Sequence, residues 1–173
     1  MSRKGFVVLQ SFLAASFILL TAPGSALAQI VAIGASGTSG TGVGAGQAYP
    51  EVLTRLLAEK GYNVRVANAG IHGDTTSGML ARLDSAIPSG TKIVLLHIEG
   101  GYFNNMRRGI SFQSGRADDA EIMRRLGARG IRIIRVSGRG LPRGPDGIHM
   151  SAESQAIVAR RLLPQVTAAL GRR

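Results

Sequence analysis

The stretch from Val64 to Asn105, VRVANAGIHGDTTSGMLARLDSAIPSGTKIVLLHIEGGYFNN, decides the fold. It opens on a short apolar run, Val64 to Ala67, and passes through a polar loop, Asn68 to Thr75. Met79, Leu80 and Leu83 then recur at helical spacing between Thr76 and Ile87. After Gly90 comes a second β-branched run, Ile93 to Ile98, followed by a second polar segment, Glu99 to Asn105. Strand, helix and strand in that order predict two parallel strands joined by a right-handed crossover.

Outward from this unit the alternation continues. Ile30 to Ile33 and Ile131 to Val136 are further apolar runs, and all four read as strands buried on both faces. Helical patterns fill the gaps at Tyr49 to Lys60 (Val52, Leu53, Leu56, Leu57) and Ala117 to Ala128 (Ile122, Met123, Leu126). Gly61 and Gly130 end them. A last helix is predicted from Ser151, an N-cap with Glu153 in the first turn, carrying Val158, Leu162 and Val166 on one stripe and a kink at Pro164. The expected product is an α/β sandwich.

The 173 residues, 45% of them hydrophobic, suit one folded domain. With no cysteine, disulfides, thiolate zinc sites and cysteine nucleophiles are excluded, and with only His72, His97 and His149 no histidine-rich metal site is expected. The chain starts with Arg3 and Lys4, continues through an apolar stretch from Phe12 to Leu20, and reaches Ala26-Leu27-Ala28, the pattern of a secretory signal peptide over residues 1–28. Cleavage before Gln29 would leave a 145-residue domain, 29–173, in the periplasm or outside the cell. That leader holds two of the 21 basic residues and none of the ten acids, so 19 against ten leaves a net charge of +9. Nucleic-acid binding is not expected, because the arginines are scattered and aromatics are 5%. The charge allows at most peripheral contact with an anionic membrane or cell-wall polymer.

In an open parallel sheet, ligands bind beyond the carboxyl ends of the strands. Four segments would converge there: Gly34 to Gly46, Asn68 to Thr75, Glu99 to Asn105 and Pro145 to Ser151. The first is glycine-rich but lacks the lysine of a P-loop, and the second strand offers Asn68 where a dinucleotide site wants an acid. Ser36, two residues past the first strand, suits a nucleophile on a turn, with the glycines giving a substrate access to the backbone. Asp146 and His149, three residues apart, could place a carboxylate on Nδ1 and turn Nε2 to the serine. His72 is a second candidate base, whereas His97, inside an apolar run, reads as a core residue.

These residues resemble the SGNH, or GDSL-like, hydrolase family over nearly all of residues 29–173, through IGASGTSG, NAGIHGDTTSGMLARL and DGIHMSAESQ in family order. The resemblance implies a three-layer α/β sandwich with a flavodoxin-like parallel sheet of four to five strands. It makes Ser36 the nucleophile, His149 the base and Asp146 its orienting carboxylate, with backbone N–H groups of Ser36 and Gly73 in the oxyanion hole. The third block departs from the family's G-x-N-D: Gly100-Gly101 is followed by Tyr102-Phe103-Asn104-Asn105. Asn104 is preferred as the side-chain donor to the oxyanion, with Asn105 and Tyr102 as alternatives. The implied activity is cofactor-free and metal-free hydrolysis of a small-molecule ester or thioester, a lysophospholipid or an acylated glycan, of the lysophospholipase, thioesterase or arylesterase kind. Only Ser137 to Pro145 separate the fourth run from Asp146, which predicts a shallow, open acyl site. The competing reading is a periplasmic glycan- or lipid-binding module that keeps the fold without turnover. Oligomeric state is not encoded in any motif.

Overall fold

A computed structural model describes residues 30–171; the expected leader and its cleavage point lie outside the described residues. Four strands, β1 (Ile30–Gly34), β2 (Val66–Gly70), β3 (Ile93–His97) and β4 (Arg132–Arg135), form one parallel sheet in the order β2-β1-β3-β4. A strand turns successive side chains to opposite faces. Ile30 and Ala32 therefore join Ile93, Leu95 and Ile134 beneath α2 (Tyr49–Glu59) and α7 (Ala152–Leu170). Val31 and Ile33 join Val94 and Leu96 on the other face, against α3 (Thr76–Ala81), α4 (Leu83–Ala86) and α6 (Phe112–Ala128). Two helical layers thus enclose the sheet, the three-layer α/β arrangement.

Several expectations need correction. β1 and β3 are buried along their whole length, but β2 and β4 are not, because each is an edge strand with one neighbour. β2 begins at Val66 and runs on to Gly70, so part of the predicted loop belongs to the sheet. The segment 76–87 is two short helices that meet at Arg82, whose φ of −99° and ψ of 9° break the α-helical run. Glu99 to Asn105 is not a loop but most of a helix, α5 (Glu99–Arg107). α6 begins at Phe112, five residues before the apolar periodicity starts, because the Ser111 side chain accepts the Ser114 N–H at 3.0 Å and caps it. Ser151 caps α7 in the same way, and α7 runs past Pro164 to Leu170.

The connections from β1 and β3 leave toward opposite sides of the sheet, α2 on one face and α6 on the other. The carboxyl ends of these two central strands therefore open a crevice between them, as topology requires at a switch point. A very short helix, α1 (Ser36–Ser39), sits at this crevice. It lies against the end of β2, where a side chain on Gly70 would collide with the backbone of Ser39.

Candidate active site

A cavity of about 740 Å³ opens beyond β1 and β3, lined among others by Ser36, His72, Gly73, His97, Asn104 and His149. Residues from all four polar segments picked out in the sequence meet there, although they come from elements up to 113 positions apart in Ser36 and His149. Ser36 is the first residue of α1 and is half-buried. Buried Gln155 on α7 fixes this turn, its Nε2 donating to the Gly37 carbonyl at 3.1 Å while its Oε1 accepts the Tyr49 N–H at 3.0 Å. Gln155 was not singled out in the sequence; its only signal was an amide on the apolar stripe of a helix.

His149 is held by a compact turn. Asp146 Oδ1 accepts the backbone N–H groups of Ile148 and His149, both at 2.9 Å, and Asp146 Oδ2 meets His149 Nδ1 at 2.5 Å. These bonds, that of the imidazole first, pull the Asp146 carboxyl down to about 2, so it is an anion throughout the range in which enzymes work. Paired to a carboxylate, Nδ1 carries the proton and Nε2 is left as the basic atom. An antiparallel bridge between Arg143 and Met150, with Gly144 N–H on the His149 carbonyl at 2.8 Å, closes the turn from outside. No hydrogen bond joins His149 to Ser36, and both face the one cavity.

His72, the second candidate base, also reaches the cavity, its ring centroid 5.5 Å from that of His149. Its tautomer follows from a chain of hydroxyls. Ser39 Oγ donates its single proton to the Ser36 carbonyl at 3.1 Å, so it accepts from Thr41 Oγ1 at 3.0 Å; Thr41 in turn accepts from His72 Nδ1 at 3.2 Å. His72 has no carboxylate partner among the described residues, unlike His149. The same chain engages the Ser39 hydroxyl, the other serine of the turn, in a bond to backbone. His97, the core residue expected, is 6% exposed, hydrogen-bonded through Nδ1 to Thr38 at 3.4 Å and packed edgewise on Tyr49, although its edge also contributes to the cavity wall.

Three groups could donate to an oxyanion. The N–H groups of Ser36 and Gly73 have no acceptor among the described residues. Gly73 has φ = +73°, a left-handed conformation that glycine adopts without cost, and its carbonyl accepts from Arg108 Nη2 at 3.0 Å. Asn104 lines the cavity, with Nδ2 donating one hydrogen to the Asp74 carbonyl at 2.7 Å and the other left for a ligand. Asn105 is 2% exposed instead and clamps Thr76, accepting its N–H at 3.2 Å and donating to its Oγ1 at 2.7 Å. Tyr102 lies in a second pocket with Phe112 and Asp119, its hydroxyl raised by burial and by the Asp119 carboxylate. Asp74 is itself fixed by Arg82 at 2.8 Å, and Arg82 also donates to the Gly34 carbonyl, linking the β1 and β2 ends.

Glu99 is a cavity residue that sequence reasoning passed over. Burial raises its carboxyl pKa, but bonds from His97, Ser137 Oγ (2.7 Å) and Gly138 N–H (3.2 Å) outweigh that and bring it down to about 2. It thereby ties the end of β4 to α5. Among the described residues no group of three or more His, Asp or Glu is arranged to hold a metal, and no helix is long and apolar enough to cross a membrane.

Residues 32–172 match the model of the GDSL-like lipase/acylhydrolase family. Over 119 residues the chain is 33% identical to esterase TesA of Pseudomonas aeruginosa, an alignment covering 69% of this chain. The chain spans 58% of the length of that curated relative. The structure resembles a crystal structure of TesA with a TM-score of 0.69, at 20% identity and covering 81% of this chain and 98% of that one. It also resembles AlinE4, an SGNH-hydrolase family esterase, with a TM-score of 0.56 at 27% identity, covering 79% of this chain and 70% of that one.

Proposed function

The chain belongs to the GDSL-like lipase/acylhydrolase family, and from that premise we propose that it is a serine ester hydrolase acting through Ser36, His149 and Asp146. The observation that carries this reading is the pairing of His149 Nδ1 with an ionised Asp146 at the mouth of the cavity that Ser36 also lines. An imidazole so held has its free nitrogen available as a base and can accommodate positive charge as the reaction proceeds.

In the proposed mechanism His149 Nε2 takes the Ser36 hydroxyl proton as Oγ attacks the ester carbonyl. The carbonyl π electrons move to oxygen, and the oxyanion is held by the Ser36 and Gly73 N–H groups and by Asn104 Nδ2. As the C–O bond to the alcohol breaks, the His149 imidazolium returns the proton to the leaving oxygen. Water then repeats the attack on the acyl-serine, losing its proton to His149 and releasing the acid and Ser36. No step draws on a cofactor. Asn105 and Tyr102 take no part, because one is committed to Thr76 and the other faces the second pocket.

The substrate we propose is a small-molecule ester or thioester, a lysophospholipid or acylated glycan being of the right kind, met in the periplasm or outside the cell after removal of residues 1–28. The N-terminal residues Arg3 to Ala28 support that location through their charge and small-residue pattern. The test of function is hydrolysis of 4-nitrophenyl butyrate by the purified protein and its Ser36→Ala and Ser39→Ala variants. Turnover lost in Ser36→Ala and kept in Ser39→Ala is the expected result; a silent wild-type protein favours the non-catalytic glycan- or lipid-binding module instead.

A further inference from the structure

The charges around the cavity are unbalanced in a way that the ester-hydrolase mechanism does not require. Arg107 at the end of α5, Arg108 just past it and Arg143 on the turn before Asp146 line it, and none of the three makes an ion pair among the described residues. Arginines elsewhere on the chain are paired only in part, Arg82 with Asp74, Arg135 with Asp119 and Arg124 with Glu121 among them; what sets Arg107, Arg108 and Arg143 apart is that they line one cavity together. Among the cavity's lining residues Glu99 is the one acid, and its oxygens are taken by Ser137, Gly138 and Arg139, the last at 3.2 Å.

The positions of the cations matter as much as their number. Arg107 stands 5.9 Å over the Phe103 ring on the wall that carries Asn104, the oxyanion side. Arg143 lies on a different element, the turn whose backbone bridge to Met150 adjoins His149, the residue that would protonate the leaving group. Exposed Phe103 (43%) and Ile148 (51%) also line the cavity, Phe103 on α5 with Arg107 and Ile148 next to His149. A guanidinium presents a fork of donors that matches a carboxylate or a phosphate.

We propose that this cavity selects esters bearing a negatively charged group close to the scissile bond, received by Arg107 or Arg143 with the apolar part against Phe103 or Ile148. The proposal rests on the ester-hydrolase reading of Ser36 and His149. Carboxylate and phosphate are the two sources of such a charge, one natural on the acyl side and the other on the alcohol side. Arg108 differs in kind, since its bond to the Gly73 carbonyl makes it a positioning residue for the oxyanion hole.

The test is a comparison of kcat/KM within matched pairs at low salt. One pair is 4-nitrophenyl hexanoate against the 4-nitrophenyl monoester of adipic acid; the other is 1-butyrylglycerol against 1-butyrylglycerol 3-phosphate. A single charge pair in a wet site supplies about threefold to tenfold. The expected result is that preference for the anionic member in at least one pair, lost in about 0.5 M NaCl and reduced to near parity by Arg107→Gln with Arg143→Gln. The pair that responds identifies the side of the ester on which the charge is read. Equal or better hydrolysis of the neutral member in both pairs overturns the proposal, as does a preference that survives the double substitution. Inactivity on all four esters overturns the ester-hydrolase reading and the charge selection with it, whereas turnover without preference overturns the charge selection alone.

Discussion

At the scale of single residues the site divides the neighbouring asparagines into two jobs. Asn104 offers an N–H to the cavity, so Asn104→Ala is expected to lower kcat by about 10²–10³, the usual loss for one oxyanion donor, with little change in KM. Asn105 is buried with both amide ends engaged by Thr76. Asn105→Ala is expected to act on stability, costing about 1–3 kcal/mol because it leaves the buried Thr76 N–H without an acceptor, although the Thr76 hydroxyl keeps its bond to Asp118 at 2.6 Å; thermal unfolding beside kinetics separates the two. Gln155 makes the same point about positioning. Its replacement by Leu strips partners from the Tyr49 N–H and the Gly37 carbonyl together. A lowered melting temperature accompanied by a lowered kcat is expected, and an unchanged kcat would show that the Ser36 turn does not depend on α7.

Among the elements, Glu99 at the start of α5 links that helix to the end of β4 through Ser137 and Gly138. Its carboxyl is depressed from 4.5 to about 2 in the folded protein, so its stabilising effect is complete above about pH 4.5 and is lost as the pH falls through about 2. The difference in melting temperature between wild type and Glu99→Gln is therefore expected to be constant above pH 5 and to shrink on acidification toward pH 2. A difference that stays constant down to pH 2 would contradict this role. α5 is also the element the sequence concealed. Glu99-Gly100-Gly101 combines two poor helix formers, and the segment has no clean apolar stripe, so propensity favours a loop. Tertiary packing decides otherwise: a Cβ on Gly101 would stand 3.1 Å from both the Met79 side chain and the Thr76 backbone nitrogen, a tight approach that glycine makes without displacing either. By contrast β1, β3, α2 and α7 were legible because each buries a regular pattern, β1 and β3 on two faces and the helices on one stripe. The edge strands β2 and β4 shared the apolar composition without the full burial, a difference that depends on strand order and so lies beyond any local reading.

For the whole molecule, the topology gathers at the β1/β3 switch point side chains that are remote in sequence, so the candidate site is only partly legible in local patterns. Ser36, Asp146, His149 and Gly73 sit in short segments next to strand or helix ends, where turn chemistry marks them. Glu99, Gln155 and the unpaired Arg107 and Arg143 carry no such mark, since their importance arises only when distant elements close around the cavity. Export is a whole-molecule prediction as well: mass spectrometry of protein recovered from the periplasm or medium is expected to give an N-terminus at Gln29, and intact Met1 in that fraction would contradict it. The central claim is that a covalent acyl intermediate forms on Ser36, and its most direct test is trapping with a fluorophosphonate followed by peptide mass spectrometry. One phosphonyl adduct on the peptide carrying Ser36, abolished in Ser36→Ala and slowed in His149→Ala, is the predicted result; an adduct on Ser39 or elsewhere, or ester turnover with no adduct at all, would contradict it.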